Sequence, residues 1–273
     1  MTRRIRWSLA AVLLGLVIWT GSAQAQDGAL PLVVPEGNLF AIGVGAYPDY
    51  IGSNDYSIGA IPLLRWQFQG ERALTLIAND LRVNVLDVKG WRFGPEGILR
   101  FGRSDVKDDV VDKVHEVDMS IDLGLFLGYE WQAPGQPRIR VGASAWTLWN
   151  VTDTEDGGWT VGANVYGAYP IALPLTLMGG SGVTYGSRSY MRNNFGVTPA
   201  DAAASGLPIY TPDDGVRDVR GWLVLLLHLS PKWTIGAGLV YSWIADEGGR
   251  SPIVSDRGSR NQFIGGIGAM YLW

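Results

Sequence analysis

The chain of 273 residues contains no cysteine, which excludes disulfides and thiolate metal sites. Its net charge of −4 argues against nucleic acid as a partner, because phosphate binding needs a concentrated basic surface. Only 18% of the residues are charged, against 37 glycines, 12 tryptophans and 11 tyrosines, a balance that fits many exposed strands with aromatic edges better than a helical enzyme.

The first predicted element is a cleaved secretory signal over residues 1–25. Arg3, Arg4 and Arg6 precede an apolar run from Trp7 to Trp19, and Ala23, Gln24 and Ala25 supply the small-residue cleavage site. Residues 26–38 are expected to form a periplasmic N-terminal segment and 39–273 the folded domain. Past the signal, no segment is long and apolar enough for a membrane helix, so strands must make any membrane crossing.

Strands are expected at 39–47, 56–68, 72–78, 81–87, 91–103, 117–131, 137–149, 158–169, 173–186, 216–229, 232–244 and 261–273. The stretch VDMSIDLGLFLGYEW, residues 117 to 131, carries the pattern most clearly. Its odd positions run from Val117 through Leu123 and Leu127 to Trp131, and its even positions include Asp118, Asp122, Gly124, Gly128 and Glu130. A period of two puts these sets on opposite faces of a strand. The same alternation recurs over 137–149, 159–169 and 233–243, each with aromatics near its ends. A stripe of ~10 apolar residues capped by Trp or Tyr, opposite Gly, Ser, Thr and scattered charge, is the pattern of a barrel with lipid outside and a polar lumen inside. The expected fold is therefore all-β, a transmembrane antiparallel β-barrel of about twelve strands with periplasmic termini and long extracellular loops.

The connections agree. The long ones, 48–55, 104–116, 150–157, 187–215 and 245–260, all fall on one side. The short ones, near Gln69-Gly70, Lys89-Gly90, Pro134-Gly135, Pro170 and Ser230-Pro231, fall on the other. An even count requires a tight turn at Asn79-Asp80. At the C-terminus, Gly268, Tyr271 and Trp273 have the spacing of the signal read by the outer-membrane assembly machinery.

Four stretches resemble a known family. YPDYIGSNDYSIGAIPLLRW (47–66), FGPEGILRFGR (93–103), NNFGVTPADAAASGLPIYTPDDGVRD (193–218) and GGRSPIVSDRGSRNQFIGGIGAMYLW (248–273) are similar to the MltA-interacting protein family, MipA/OmpV, of Gram-negative outer membranes. Phe195, Gly196 and Val197, with Ser251, Pro252, Ile253 and Val254, are the most specific parts of the likeness. The resemblance implies a non-enzymatic outer-membrane scaffold that brings a lytic transglycosylase together with a penicillin-binding protein in peptidoglycan remodelling. Other members are linked to adhesion, osmotic response and antibiotic uptake. The partners then expected are outer-membrane lipid and lipopolysaccharide, the barrel assembly machinery and those two cell-wall enzymes.

On the inward parity lie Arg82, Arg92, Glu96, Arg100, Asp118, Asp122, Glu130, Arg138, Arg140 and Arg220. Charges enclosed in a narrow barrel are costly unless paired, so a cross-strand network is expected, with Glu130 and Arg138 as its leading pair. The alternative is that the arginines line a narrow channel for small solutes or antibiotics. No cofactor or metal set is read. His115, beside Glu116 and after Asp108, Asp109 and Asp112, is the one candidate for a hydrolytic rim site, against the plainer reading of a solvated acidic loop. The stretch Asp105 to Asp118 matches no calcium-loop spacing.

Overall fold

The computed structural model describes residues 35–273, so the expected signal over 1–25 and most of the 26–38 segment lie outside the described residues. Twelve strands form an antiparallel barrel: β1 (Leu39–Pro48), β2 (Tyr56–Gln69), β3 (Arg72–Ile77), β4 (Asp80–Asn84), β5 (Trp91–Arg100), β6 (Ser120–Ala133), β7 (Gln136–Asn150), β8 (Trp159–Ala172), β9 (Leu175–Gly186), β10 (Gly215–His228), β11 (Trp233–Ile244) and β12 (Asn261–Leu272). Each strand pairs with its neighbours in sequence, and β1 pairs with β12, from Leu39 opposite Leu272 to Ala46 opposite Gly265. Closure leaves no sheet edge, the condition for backbone to cross lipid.

Period-two alternation translates directly into sidedness. On β6 the odd residues from Ile121 to Trp131 point outward and stand about half exposed, Ile121 at 43% and Trp131 at 47%, while Asp122, Phe126 and Glu130 are buried. A continuous outward row of exposed Leu, Tyr and Trp is stable only against acyl chains. Aromatic pairs mark both edges of this band. Trp66–Trp273, Trp91–Tyr129 and Trp233–Tyr271 sit at the end with short turns, and Trp159–Tyr185 and Tyr241–Phe263 at the end with long loops. Among the described residues no helix is long and apolar enough to cross a membrane.

The structure shifts some expected boundaries. The turn needed for an even count is Ala78-Asn79, one residue earlier than expected, with Ile77 paired to Asp80 and Ala78 at a positive φ of 52°. Strand β8 runs through Pro170 to Ala172, because a bulge between Tyr169 and Ala172 absorbs the missing N–H. Strand β5 ends at Arg100 and β6 starts at Ser120. Beyond that pair Gly102, at φ 76°, turns the chain, and contact resumes only as an isolated bridge from Arg103 to Val117.

The long loops fold into a roof over one mouth. Helices α1 (Arg188–Phe195) and α2 (Pro199–Ser205) lie in the loop before β10, and α3 (Asp246–Arg250) and α4 (Pro252–Ser255) in the loop before β12. Thr198 starts α2 with a capping box: its side chain accepts from the Asp201 backbone N–H, and the Asp201 carboxylate accepts from the Thr198 backbone N–H.

Candidate functional site

The interior is divided lengthwise by residue type. One side, formed by Ile61, Leu63, Trp222, Val224, Val240 and Ile264 on the inward parity of their strands, is apolar. The other side holds the charges, in three groups along the axis. Large inward rings fit because glycines face them: a Cβ on Gly162 would stand 2.2 Å from the Trp146 ring, and one on Gly142 would stand 2.5 Å from the ring of Tyr166.

Under the roof, Arg100 donates from Nε to Asp122 Oδ2 at 2.7 Å, and its Nη2 lies 2.6 Å from the same oxygen. Arg217 donates to Asp218 at 2.5 Å and to the Tyr190 hydroxyl at 2.7 Å, while Arg220 lies 3.4 Å from Asp218. The Tyr190 ring, carried down from α1, lies between the guanidinium groups of Arg100 and Arg217 at 5.0 and 5.6 Å. Midway along the barrel, Arg82 contacts Glu96 at 2.8 Å and Asp80 at 3.3 Å. Near the short-turn end, Glu130 Oε1 meets Arg92 at 3.1 Å and Arg140 at 3.3 Å.

Of the expected lumen residues, Arg82, Arg92, Glu96, Arg100, Asp122, Glu130, Arg140 and Arg220 thus come together in ion pairs. Asp118 does not. It is exposed, because it precedes the regular start of β6 and the irregular 101–119 segment breaks the parity. Arg138 is also exposed at the rim, and the expected Glu130–Arg138 pair is replaced by Glu130 with Arg140 and Arg92. A bulge between Gln132 and Ala133 shifts the β6–β7 register, leaving Arg140 opposite Gln132 and Arg138 in the unpaired stretch between Gln136 and Arg140.

Four buried members lie outside the expected set: Arg65, Asp80, Arg217 and Asp218. Arg65 lies on the inward parity of β2 and was legible from alternation alone. Asp80, expected in a turn, instead opens β4 with its side chain buried. Arg217 and Asp218 are neighbours yet both buried, because a bulge between Val216 and Asp218 turns two successive side chains inward. Simple alternation hides such a pair.

The roof has its own apolar core. Tyr50, Val106, Val111, Val114, Val197, Leu207 and Ile253 cluster together, drawn from separate loops. Tyr190, Met191, Phe195, Ile244 and Val254 form a second cluster beneath. The most specific parts of the family resemblance lie in this core: Phe195, Val197, Ser251, Pro252, Ile253 and Val254 are all buried, and Ser251 Oγ donates to the Phe195 carbonyl at 2.7 Å. Gly196 ends α1, its N–H donating to the Arg192 carbonyl.

His115 belongs to the roof. Its Nδ1 lies 2.8 Å from Asp201 Oδ2 and its Nε2 lies 3.0 Å from the Asn193 carbonyl, so both ring nitrogens face acceptors. Each ring nitrogen thus has a fixed partner, a carboxylate on one side and a backbone carbonyl on the other. His115 therefore ties the 101–119 loop to helices α1 and α2 of the 187–214 loop. His228 is likewise bound on both sides, by Thr176 and Thr234. Among the described residues, no group of His, Asp and Glu has the arrangement of a metal site.

Partial burial alone would raise the Asp201 pKa, but hydrogen bonds from His115 and Thr198 outweigh it and hold the carboxyl at about 2, below its ordinary 3.8. A lowered folded-state pKa contributes stability that is present above the ordinary value and lost as pH falls through the lowered one. The protection of the 187–214 amides against hydrogen exchange, relative to an unstructured chain at the same pH, is thus expected to fall between about pH 4 and pH 2. Asp201→Asn should already exchange faster at pH 7 and lose most of that pH dependence; wild-type behaviour in this variant would show that the carboxylate does not hold the roof.

Comparison with known proteins places this architecture. The chain resembles the solved NanC porin, with 13% identity, a TM-score of 0.52, and 86% of this chain and all of that one covered. It is also similar to an outer membrane channel from Pseudomonas putida F1, with 11% identity, a TM-score of 0.48 and 91% of this chain covered against 100% of that one. The OmpT outer membrane protein of Vibrio cholerae matches at 9% identity and a TM-score of 0.42, over 89% of this chain and 100% of that one. At such identities the first of these likenesses speaks for the barrel fold alone. No curated protein matches the sequence. The family described as MltA-interacting protein MipA matches residues 40–273, which takes in the roof and all of the barrel but Leu39, and the chain belongs to that family.

Proposed function

We propose that this protein is an outer-membrane barrel working as a closed envelope scaffold, which holds a lytic transglycosylase and a penicillin-binding protein together during peptidoglycan remodelling. The observation that carries the reading is the roof. Loops 49–55, 101–119, 187–214 and 245–260 share buried apolar clusters across the outer mouth, and beneath them Arg100, Asp122, Arg217, Asp218 and Arg220 pair off around Tyr190. A barrel so sealed is suited to holding partners more than to passing solutes. The family description names interaction with MltA, which supports the transglycosylase as one partner. Partners on the periplasmic side would meet the short turns, where Leu173 is 85% exposed and Phe68 and Leu229 stand well out.

In this reading outer-membrane lipid and lipopolysaccharide surround the outward apolar face, and the barrel assembly machinery reads Gly268, Tyr271 and Trp273 at the end of β12. Affinity capture from envelope extracts tests it. Enrichment of a lytic transglycosylase and a penicillin-binding protein supports the scaffold, and their absence from the captured set removes it. A narrow channel for small solutes or antibiotics is the second reading, favoured by the polar side of the lumen running from Arg140 up to Arg220. Steady ion-selective current across a planar bilayer would favour the channel over the sealed scaffold.

A further inference from the structure

We infer that the periplasmic half of the lumen contains a binding site for a small anion carrying a carboxylate or phosphate group, built around Arg65. The argument is one of charge and hydrogen bonding. In the upper and middle groups each arginine has a carboxylate partner: Arg100 has Asp122, Arg217 and Arg220 share Asp218, and Arg82 has both Asp80 and Glu96. In the lowest group three guanidinium groups, from Arg65, Arg92 and Arg140, lie within electrostatic reach of one another and of a single buried carboxylate, Glu130. Glu130 is already engaged, its Oε1 meeting Arg92 at 3.1 Å and Arg140 at 3.3 Å.

Arg65 is left over. It is only 3% exposed, and its buried Nε and Nη2 have no hydrogen-bond partner. Glu36 is the other acid in its field, but it is exposed at the rim and forms no ion pair with Arg65 among the described residues. Burying a charge without a partner is costly, and a guanidinium in that condition is an open, planar, doubly donating fork. A carboxylate or phosphate is the complement of that fork, because its two oxygens accept both N–H groups at once. Arg92 and Arg140 stand alongside and raise the local positive potential. Tyr166, its ring packed over Gly142, borders the same space. The arginines converge from β2, β5 and β7, so the site exists only in the closed barrel. It does not depend on whether the barrel proves to be a scaffold or a channel.

The test uses the purified full-length mature chain in detergent, with inorganic phosphate and acetate as separate probes titrated against chloride at constant ionic strength. Calorimetry is expected to show saturable binding of at least one probe, and thermal unfolding a rise in midpoint with that probe alone. Arg65→Met should abolish the binding, and in anion-free buffer it should unfold no earlier than wild type, since a buried unpaired charge has been removed. Arg65→Lys keeps the charge but loses the fork, and is expected to bind at least tenfold more weakly. Saturable binding by neither probe overturns the site. So does unchanged binding in Arg65→Lys, which decides the matter alone if Arg65→Met does not fold. Because the readout is binding and not capture or conductance, its failure is distinguishable from failure of the scaffold reading.

Discussion

Asp122→Ala is expected to destabilise the barrel by about 3–5 kcal/mol, the cost of removing one partner of a buried ion pair and stranding the other. Asp122 is 1% exposed, and Arg100 approaches the same carboxylate oxygen with both Nε and Nη2, at 2.7 and 2.6 Å. Arg100 also meets two neutral groups, Thr160 Oγ1 at 3.3 Å and the Tyr190 hydroxyl at 3.5 Å. Neither offsets a full charge in a low-dielectric interior. Urea unfolding in micelles, followed by tryptophan fluorescence, measures the loss. The double variant Asp122→Leu with Arg100→Met should recover most of it, because replacing both charges with apolar groups avoids the stranded cation. A loss below about 1 kcal/mol for Asp122→Ala would mean that water solvates this part of the lumen and that the charge network does not fill it.

Phe195→Ala is expected to act on the roof and spare the wall. Phe195 is fully buried against Tyr190, Met191, Ile244 and Val254, and truncating a buried Phe costs about 3–5 kcal/mol. Strand pairing in β1 to β12 does not use this side chain, so the loss should appear as local opening of the 187–214 and 245–260 loops. At about 1.4 kcal/mol per tenfold, opening should become more than a hundredfold more frequent, read as faster protease cleavage within those loops. Global unfolding of the barrel should move little. In a planar bilayer the variant is expected to show brief openings that wild type lacks. Equal silence in both would assign the barrier to the lumen charges and not to the roof.

The barrel was legible in the sequence because its signals are local. Alternation with period two is a property of each strand's own backbone, so the outward run from Ile121 to Trp131 could be read without knowing any partner. Membrane depth is written in the same way, by an aromatic at each end of a stripe, as in Trp159 and Tyr169 on β8. Even the twelve-strand count followed from locating one break, which the structure puts at Ala78-Asn79. Arg65 obeys the same rule, since it follows Leu63 on the inward face of β2.

An even-stranded barrel, the lipid-facing side of each strand and the side on which the long loops gather all follow from local pattern. Which acid meets which arginine depends on how the strands come together in space. Glu130 takes Arg140 and Arg92 in place of Arg138, Asp118 leaves the lumen, and Arg217 and Asp218 both enter it. The tertiary structure alone joins Phe195 and Val197 to Ile253 and Val254 in a roof, across more than fifty residues of chain. The physical reason is that parity is set by the torsion angles of one strand. Pairing across a lumen depends on bulges, register and barrel width, which arise from contacts between residues far apart in sequence.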